Sequence, residues 1–317
     1  MNIKEASDFY SELYTVLKPN SLSIQEASEI WDKWETEDLK RPNIEKIADD
    51  DDFQINFFNE IVGFIFGKNH EKIIYLSFLL KDYNYHAFTA SDGYIVLCDE
   101  KFDQLLFFII TICTFLADNN YNRNEKHKIE NYLRNGIKRY YIHHEDIELL
   151  NDNYFDEIIK SSYEISEKAI YLLNAIFAFM FCHELGHHVL GHTHSKEKQI
   201  IKMKNEEYSY EVDMVSLLDE YAADDYAFDI FKKLLNVDKD RYFTFFKYRF
   251  EYAPLLFFDI CSSLDKLSAI INGQKIHYTK HPNPHKRRNK LRDTKIIERD
   301  SFYFYFRSIV YNIYKGI

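Results

Sequence analysis

Residues Ala169 to Cys182 run without a single charge and lead directly into His183-Glu184-Leu185-Gly186-His187. The apolar run reads as a buried helix. Such a helix does not normally carry two imidazoles and a carboxylate with it unless something offsets their desolvation. On a helix, residues four apart share a face, so the His183 and His187 rings can bind one metal ion. Glu184 sits one residue round, near the metal but off the ligand face. That is the place for a general base acting on zinc-bound water.

A two-His site needs at least one more protein ligand, with a position left open for water. The segment Leu217 to Ala227 offers candidates. Glu220 and Asp224 are four apart, so one helix can aim both carboxylates the same way. Glu220 can then reach the metal while Asp224 accepts a proton from a ligand imidazole and fixes its tautomer. Asp219 is the rival ligand, disfavoured because only Glu220 keeps the four-residue step to Asp224. Asp219 and Asp225 otherwise read as surface charge. Ala223 and Ala227 would let this helix pack tightly against the His helix.

At 317 residues the chain can hold one large domain or two modest ones, and 46 % hydrophobic residues are ample for a core. A formal charge of −11 argues against nonspecific nucleic-acid binding. The basic run Lys286 to Arg292 lacks interleaved aromatics and reads as a solvated helix face. Cys98, Cys113, Cys182 and Cys261 are far apart in apolar surroundings and read as free thiols in a reducing compartment. The N-terminus has no signal-peptide pattern. The longest charge-free runs, Leu105 to Ala117 and Ala169 to Cys182, fall short of the roughly 20 residues that span a bilayer. The expectation is a cytoplasmic protein without membrane spans.

Along the chain, residues 1–18 read as an amphipathic helix, and Ser23 to Glu26 as a capping box opening a helix through Trp31 and Trp34. The acids Asp49 to Asp52 precede a helical stretch, Phe53 to Phe66. Residues 1–68 thus form a helical N-terminal region, and 69–317 a second domain. Lys72 to Leu80 reads as a strand, and His86 to Cys98 as two short strands about Asp92-Gly93. Phe102 to Ala117 is a long apolar helix. Residues 118–156 show weak periodicity and read as a surface insertion, with His143 and His144 facing solvent. Helix runs from about Ile158 to Val189, with Gly191 as its cap. Residues 193–212 read as a loop or short exposed helix, and Met214 to Leu235 as helix. One or two aromatic-rich helices follow over Phe243 to Ile271, broken near Pro254. A basic helix follows His281-Pro-Asn-Pro284, and an aromatic one spans Phe302 to Tyr314. The fold class expected is a helix-rich α+β unit.

His183-Glu-Leu-Gly-His187 followed by Glu220-x-x-x-Asp224 resembles the gluzincin zinc metallopeptidases. His86-Ala87-Phe88 with Gly93 to Leu97, and His281-Pro282 followed by Arg287, resemble segments of the CAAX-prenyl-protease and heat-shock-protease types. Among soluble proteins of this length, the chain is most similar to the phage-exclusion Lit peptidase family. The shared stretches are Cys182 to His192, Glu220-x-x-Ala223-Asp224 and His281-Pro282, and the resemblance spans roughly residues 85–295. It implies a gluzincin fold with a small sheet against the active-site helix. It implies Zn2+ held by His183, His187 and Glu220, with Glu184 as base and Asp224 as partner of a ligand imidazole. His281 would donate to the oxyanion and Arg287 would be a supporting cation. A strand with Ala87, Phe88 and Thr89 would hold substrate, although His86 stands where the family has Asn. A placed His suits the charge of a tetrahedral intermediate; His277 is the alternative donor, and His281 can also be read as a turn residue.

The function expected is therefore a zinc-dependent endopeptidase acting on a protein or peptide substrate. The Lit resemblance implies a phage-defence or stress effector that cuts a host protein. The alternative is a zinc-binding regulatory protein that uses the same fold without turnover. Of the remaining histidines, His188 points away from His187 and reads as structural or surface. His192 and His194 are candidates for adventitious metal binding, but they follow the expected helix end.

Overall fold

The computed structural model describes residues 50–67, 73–78, 85–89, 93–118, 121–143, 145, 153–194, 197–203, 206–212, 217–237, 246–273 and 282–314, with Ser23 and Gln25. The helix expected over residues 1–18, and nearly all of the one expected over 23–34, lie outside them. The architecture is helix-rich α+β. The chain divides into two compact units: Met1–Lys101 with Met180–Ile230, and Phe102–Phe179 with Phe231–Ile317.

The first unit contains helix α1 (Asp50–Phe66) and strands β1 (Ile73–Phe78), β2 (Tyr85–Thr89) and β3 (Tyr94–Asp99). β3 is the central strand, parallel to β1 and antiparallel to β2. A strand flanked on both sides tends to be apolar throughout, and Ile95 to Cys98 are wholly buried. Among the described residues β2 forms one edge, with Ala87 opposite Val96 and Thr89 opposite Tyr94.

Helix α5 (Tyr163–Val189) carries the His-Glu-x-x-His stretch near its C-terminal end. Phe181, two residues before His183, is wholly buried. The rings of Phe57 and Phe58 on α1, Tyr75 on β1 and Tyr85 on β2 lie 5.2–6.1 Å from it. One aromatic cluster thus seats both α1 and the sheet against the helix segment that holds the histidines. Replacing a ring so enclosed with alanine costs about 3–5 kcal/mol. By length and composition α5 could cross a membrane, but 83 % of its apolar window is buried within the protein. It is a core helix.

Residues 197–212, expected as loop or short helix, instead form an antiparallel ribbon of β4 (Glu197–Met203) and β5 (Glu206–Val212). Its charges obscure a β-favouring content of Ile200, Ile201, Tyr208, Tyr210 and Val212. Helix α6 (Leu217–Leu234) follows.

The second unit is helical, with α2 (Glu100–Asp118), α3 (Arg123–Ile137), α4 (Asn153–Ser161), α7 (Ala253–Asn272), α8 (Pro284–Thr294) and α9 (Ser301–Asn312). The weakly periodic stretch after Asp118 contains α3, opened by a capping box between Asn122 and Glu125 and burying Ile129, Leu133 and Ile137. His143 there is exposed. Helices α4 and α5 are separate, because the Ser162 hydroxyl accepts from Ile165 N and starts α5 afresh. Pro254 does not break a helix but begins one, in the first turn of α7. Gly273, at φ 62°, ends that helix with the left-handed residue that only glycine adopts without strain. A buried ion pair joins α7 to α8: Arg288 Nε donates to Asp259 Oδ2 at 2.8 Å, and its far nitrogen donates to the Tyr303 hydroxyl at 2.7 Å.

Candidate metal centre

His183 and His187, one turn apart on α5, bring their Nε2 atoms to 3.1 Å. Glu220, near the start of α6, places its carboxylate against both. Oε2 lies 3.5 Å from His183 Nε2 and Oε1 lies 3.5 Å from His187 Nε2. All three side chains are buried, and Glu220 is 1 % exposed.

Asp224, one turn further along α6, takes the opposite side of His183: its Oδ1 lies 3.1 Å from His183 Nδ1. The network assigns the proton to Nδ1, which donates to the carboxylate, and leaves the Nε2 lone pair facing Glu220. Acceptor thus faces acceptor in a buried site, an arrangement that is unfavourable without a cation. Donors around a tetrahedral metal at about 2.0–2.1 Å stand about 3.3 Å apart. The separations of 3.1, 3.5 and 3.5 Å fit that figure. A proton on one ring would relieve one contact; a metal ion shared by all three satisfies them together. The cluster can therefore hold a metal ion.

Close helix packing makes the triangle possible. A β-carbon on Gly186 would lie 3.0 Å from Tyr226 Cδ1 and 3.5 Å from the Ala223 carbonyl oxygen. Ala223 and Ala227 are wholly buried. Small residues on both helices bring two ligands of α5 and one of α6 to a common point.

Glu184 is also buried, at 8 % exposure. His188, one of whose readings was surface, is buried, with its ring 4.4 Å from that of Tyr94. Asp219 lies outside the ligand triangle. Its Oδ1 is 3.6 Å from His192 Nε2, and His192 Nδ1 is 3.1 Å from His187 Nδ1. Burial pushes the His192 imidazole below its ordinary range, against the pull of the Asp219 and Glu220 carboxylates. Sequence reasoning missed His192 because it follows the end of α5. Gly191, at φ 73°, folds the chain back and returns His192 to the helix face. The signal was that glycine standing just before a histidine.

His281 and His277 lie outside the described residues. Arg287 belongs to the second unit, where its guanidinium carbon sits 4.7 Å from the Phe258 ring centroid. Ala87, Phe88 and Thr89 lie in edge strand β2, which runs beside the 192–194 turn.

The Peptidase U49 family profile matches residues 115–306, well over half of the chain. The chain belongs to the peptidase U49 family. The U49 match spans the His-Glu-x-x-His stretch, Glu220 and Asp224, so the residues that form the cluster lie inside the region that defines the family. Membership of U49, the Lit-type metallopeptidases, accords with the likeness read from Cys182 to His192. The chain has no significant match among curated proteins or solved structures.

Proposed function

We propose that this U49 protein is a zinc-dependent endopeptidase that hydrolyses a peptide bond in a protein substrate. The observation that carries the reading is the buried triangle of His183, His187 and Glu220, with separations that suit one small divalent ion. Two imidazoles and one carboxylate suit zinc and leave a fourth position for water. A bound zinc ion supplies a Lewis acid that acidifies water and polarises a carbonyl.

The chain's own residues complete the reaction. Glu184, buried beside the ligand face, takes a proton from the attacking water and delivers it to the leaving amine nitrogen. Asp224 holds His183 in the tautomer that leaves Nε2 free for the ion. The backbone of β2 offers a sheet edge along which an extended peptide can pair, with Ala87 to Thr89 as the docking stretch. The family resemblance implies His281 as the donor to the oxyanion. The same kinship supports a host protein as substrate and a cytoplasmic role in phage defence or stress.

The test is Glu184→Gln, assayed for metal content and for cleavage of an unstructured protein such as casein. Retained metal with hydrolysis reduced about 10²–10⁴-fold is the expected result. A Gln variant as active as the parent would sink the mechanism.

A further inference from the structure

His183 has a carboxylate directly behind it, that of Asp224. What stands behind His187 is a second imidazole with a carboxylate beyond it. His187 Nδ1 lies 3.1 Å from His192 Nδ1, and His192 Nε2 lies 3.6 Å from Asp219 Oδ1. The His192 side chain is 11 % exposed and that of Asp219 is 37 % exposed, so the chain of groups runs from the buried cluster toward solvent.

Hydrogen-bond chemistry allows one proton arrangement along this chain if His187 is to bind a metal through Nε2. His187 must then carry its proton on Nδ1 and donate it outward. His192 Nδ1, 3.1 Å away, is placed to receive it, which makes His192 the tautomer protonated on Nε2. That Nε2–H faces the Asp219 carboxylate at 3.6 Å, beyond direct hydrogen-bond length. Each group's role is set by the one before it. An imidazole carrying protons on both nitrogens at position 192 could not accept.

From this geometry we infer that His192, oriented by Asp219, is the positioning residue of His187: it selects the metal-binding tautomer of that ring and holds the ring's plane. The inference rests on the reading of His183, His187 and Glu220 as a metal centre. It gives the two histidine ligands unequal support. Asp224 holds His183 directly and deep in the protein; Asp219 supports His187 at one remove and nearer the surface. It also accounts for the turn at Leu190-Gly191, where Leu190 N donates to Gly186 O at 2.9 Å and Gly191 N donates to His188 O at 3.1 Å. Those bonds end α5 tightly enough for residue 192 to reach back to residue 187.

The test compares the parent, Glu220→Ala, His192→Leu, His192→Asn and Asp219→Asn in the full-length chain. Zinc affinity is measured by competition with a chromophoric chelator, and the tautomers of residues 187 and 192 by long-range ¹⁵N–¹H correlation. Asn places its carbonyl oxygen where His192 has Nδ1, so it keeps the acceptor and loses the link to Asp219. We expect Glu220→Ala to abolish tight binding and His192→Leu to weaken it about 10–100-fold. His192→Asn should recover most of the loss, and Asp219→Asn should show a smaller one. The parent spectrum should place the proton of His187 on Nδ1 and that of His192 on Nε2. A merely structural His192 would lower stability in both 192 variants without Asn restoring affinity, and that result would overturn the inference. So would the opposite tautomers. A parent that binds no zinc would remove the metal centre itself, whereas a parent that binds it and a His192→Leu variant that binds equally well removes only the role of His192.

Discussion

Asp224 Oδ1 lies 3.1 Å from His183 Nδ1, on the side of the ring away from Glu220. Two carboxylates four residues apart on α6 therefore address the two nitrogens of one imidazole. Replacing Asp224 with Ala removes the acceptor that selects the tautomer, and zinc affinity should fall about 10–100-fold. Asp224→Asn, which keeps an acceptor oxygen, should lose less. Chelator competition at fixed pH measures both.

Glu220 and Asp219 are adjacent in sequence but differ in situation, one 1 % exposed in the triangle and the other at the outer end of the His192 chain. Mass spectrometry of the purified protein should find about one zinc per chain in the parent. Glu220→Ala should carry almost none, and Asp219→Ala should keep most of it. The reverse pattern would move the ligand assignment to Asp219.

Gly186 on α5 faces Tyr226 and Ala223 of α6. A single methyl at this position meets the edge of the Tyr226 ring at 3.0 Å, and a ring edge can shift. Gly186→Ala should therefore be mild. The two further methyls of Gly186→Val must fit where the β-carbon already touches the Ala223 backbone at 3.5 Å, and that backbone cannot shift without moving α6. Overpacking of this kind costs about 1–3 kcal/mol. Urea unfolding should show that loss together with weakened zinc binding, and Tyr226→Ala in the same chain should restore part of it.

Asp259 accepts from Arg288 at 2.8 Å and from Arg307 at 3.0 Å, with Arg288 only 2 % exposed. Removing the carboxylate leaves a buried guanidinium without its counter-charge. Asp259→Ala should destabilise the fold by about 3–5 kcal/mol, read as a lower midpoint in thermal or urea unfolding.

Burial pushes the Cys182 thiol far above its usual range, and burial together with the Glu130 carboxylate does the same to Cys113. A raised pKa keeps the thiol protonated, and the thiolate is the reactive form. At pH 8 neither residue should react with a disulfide reagent while the chain is folded. Both should react once it is unfolded and the pKa returns to about 8.5.

The candidate metal cluster was legible because it depends on short-range rules. The apolar run before His183 could only be a buried helix, and helical spacing paired His183 with His187 and Glu220 with Asp224. What escaped depended on partners distant in sequence or on one backbone angle. The parallel pairing of β1 with β3 joins strands whose own sequences do not name each other. The β4–β5 ribbon was hidden by charges that a two-stranded ribbon can carry but a core strand cannot. His192 was set aside because its position is decided by the left-handed turn at Gly191 and not by helical periodicity.

The ligand atoms come from two helices with the β4–β5 ribbon between them in sequence, so an ion held there ties together segments that the unfolded chain leaves apart. Thermodynamic linkage makes such a tie worth about 4 kcal/mol when free metal stands at 1,000 times its dissociation constant, and nothing when metal is absent. The folded population of this protein would then track metal supply. Under zinc starvation a cell would lose the molecule to its proteases instead of storing it idle, and abundance itself would report the ion.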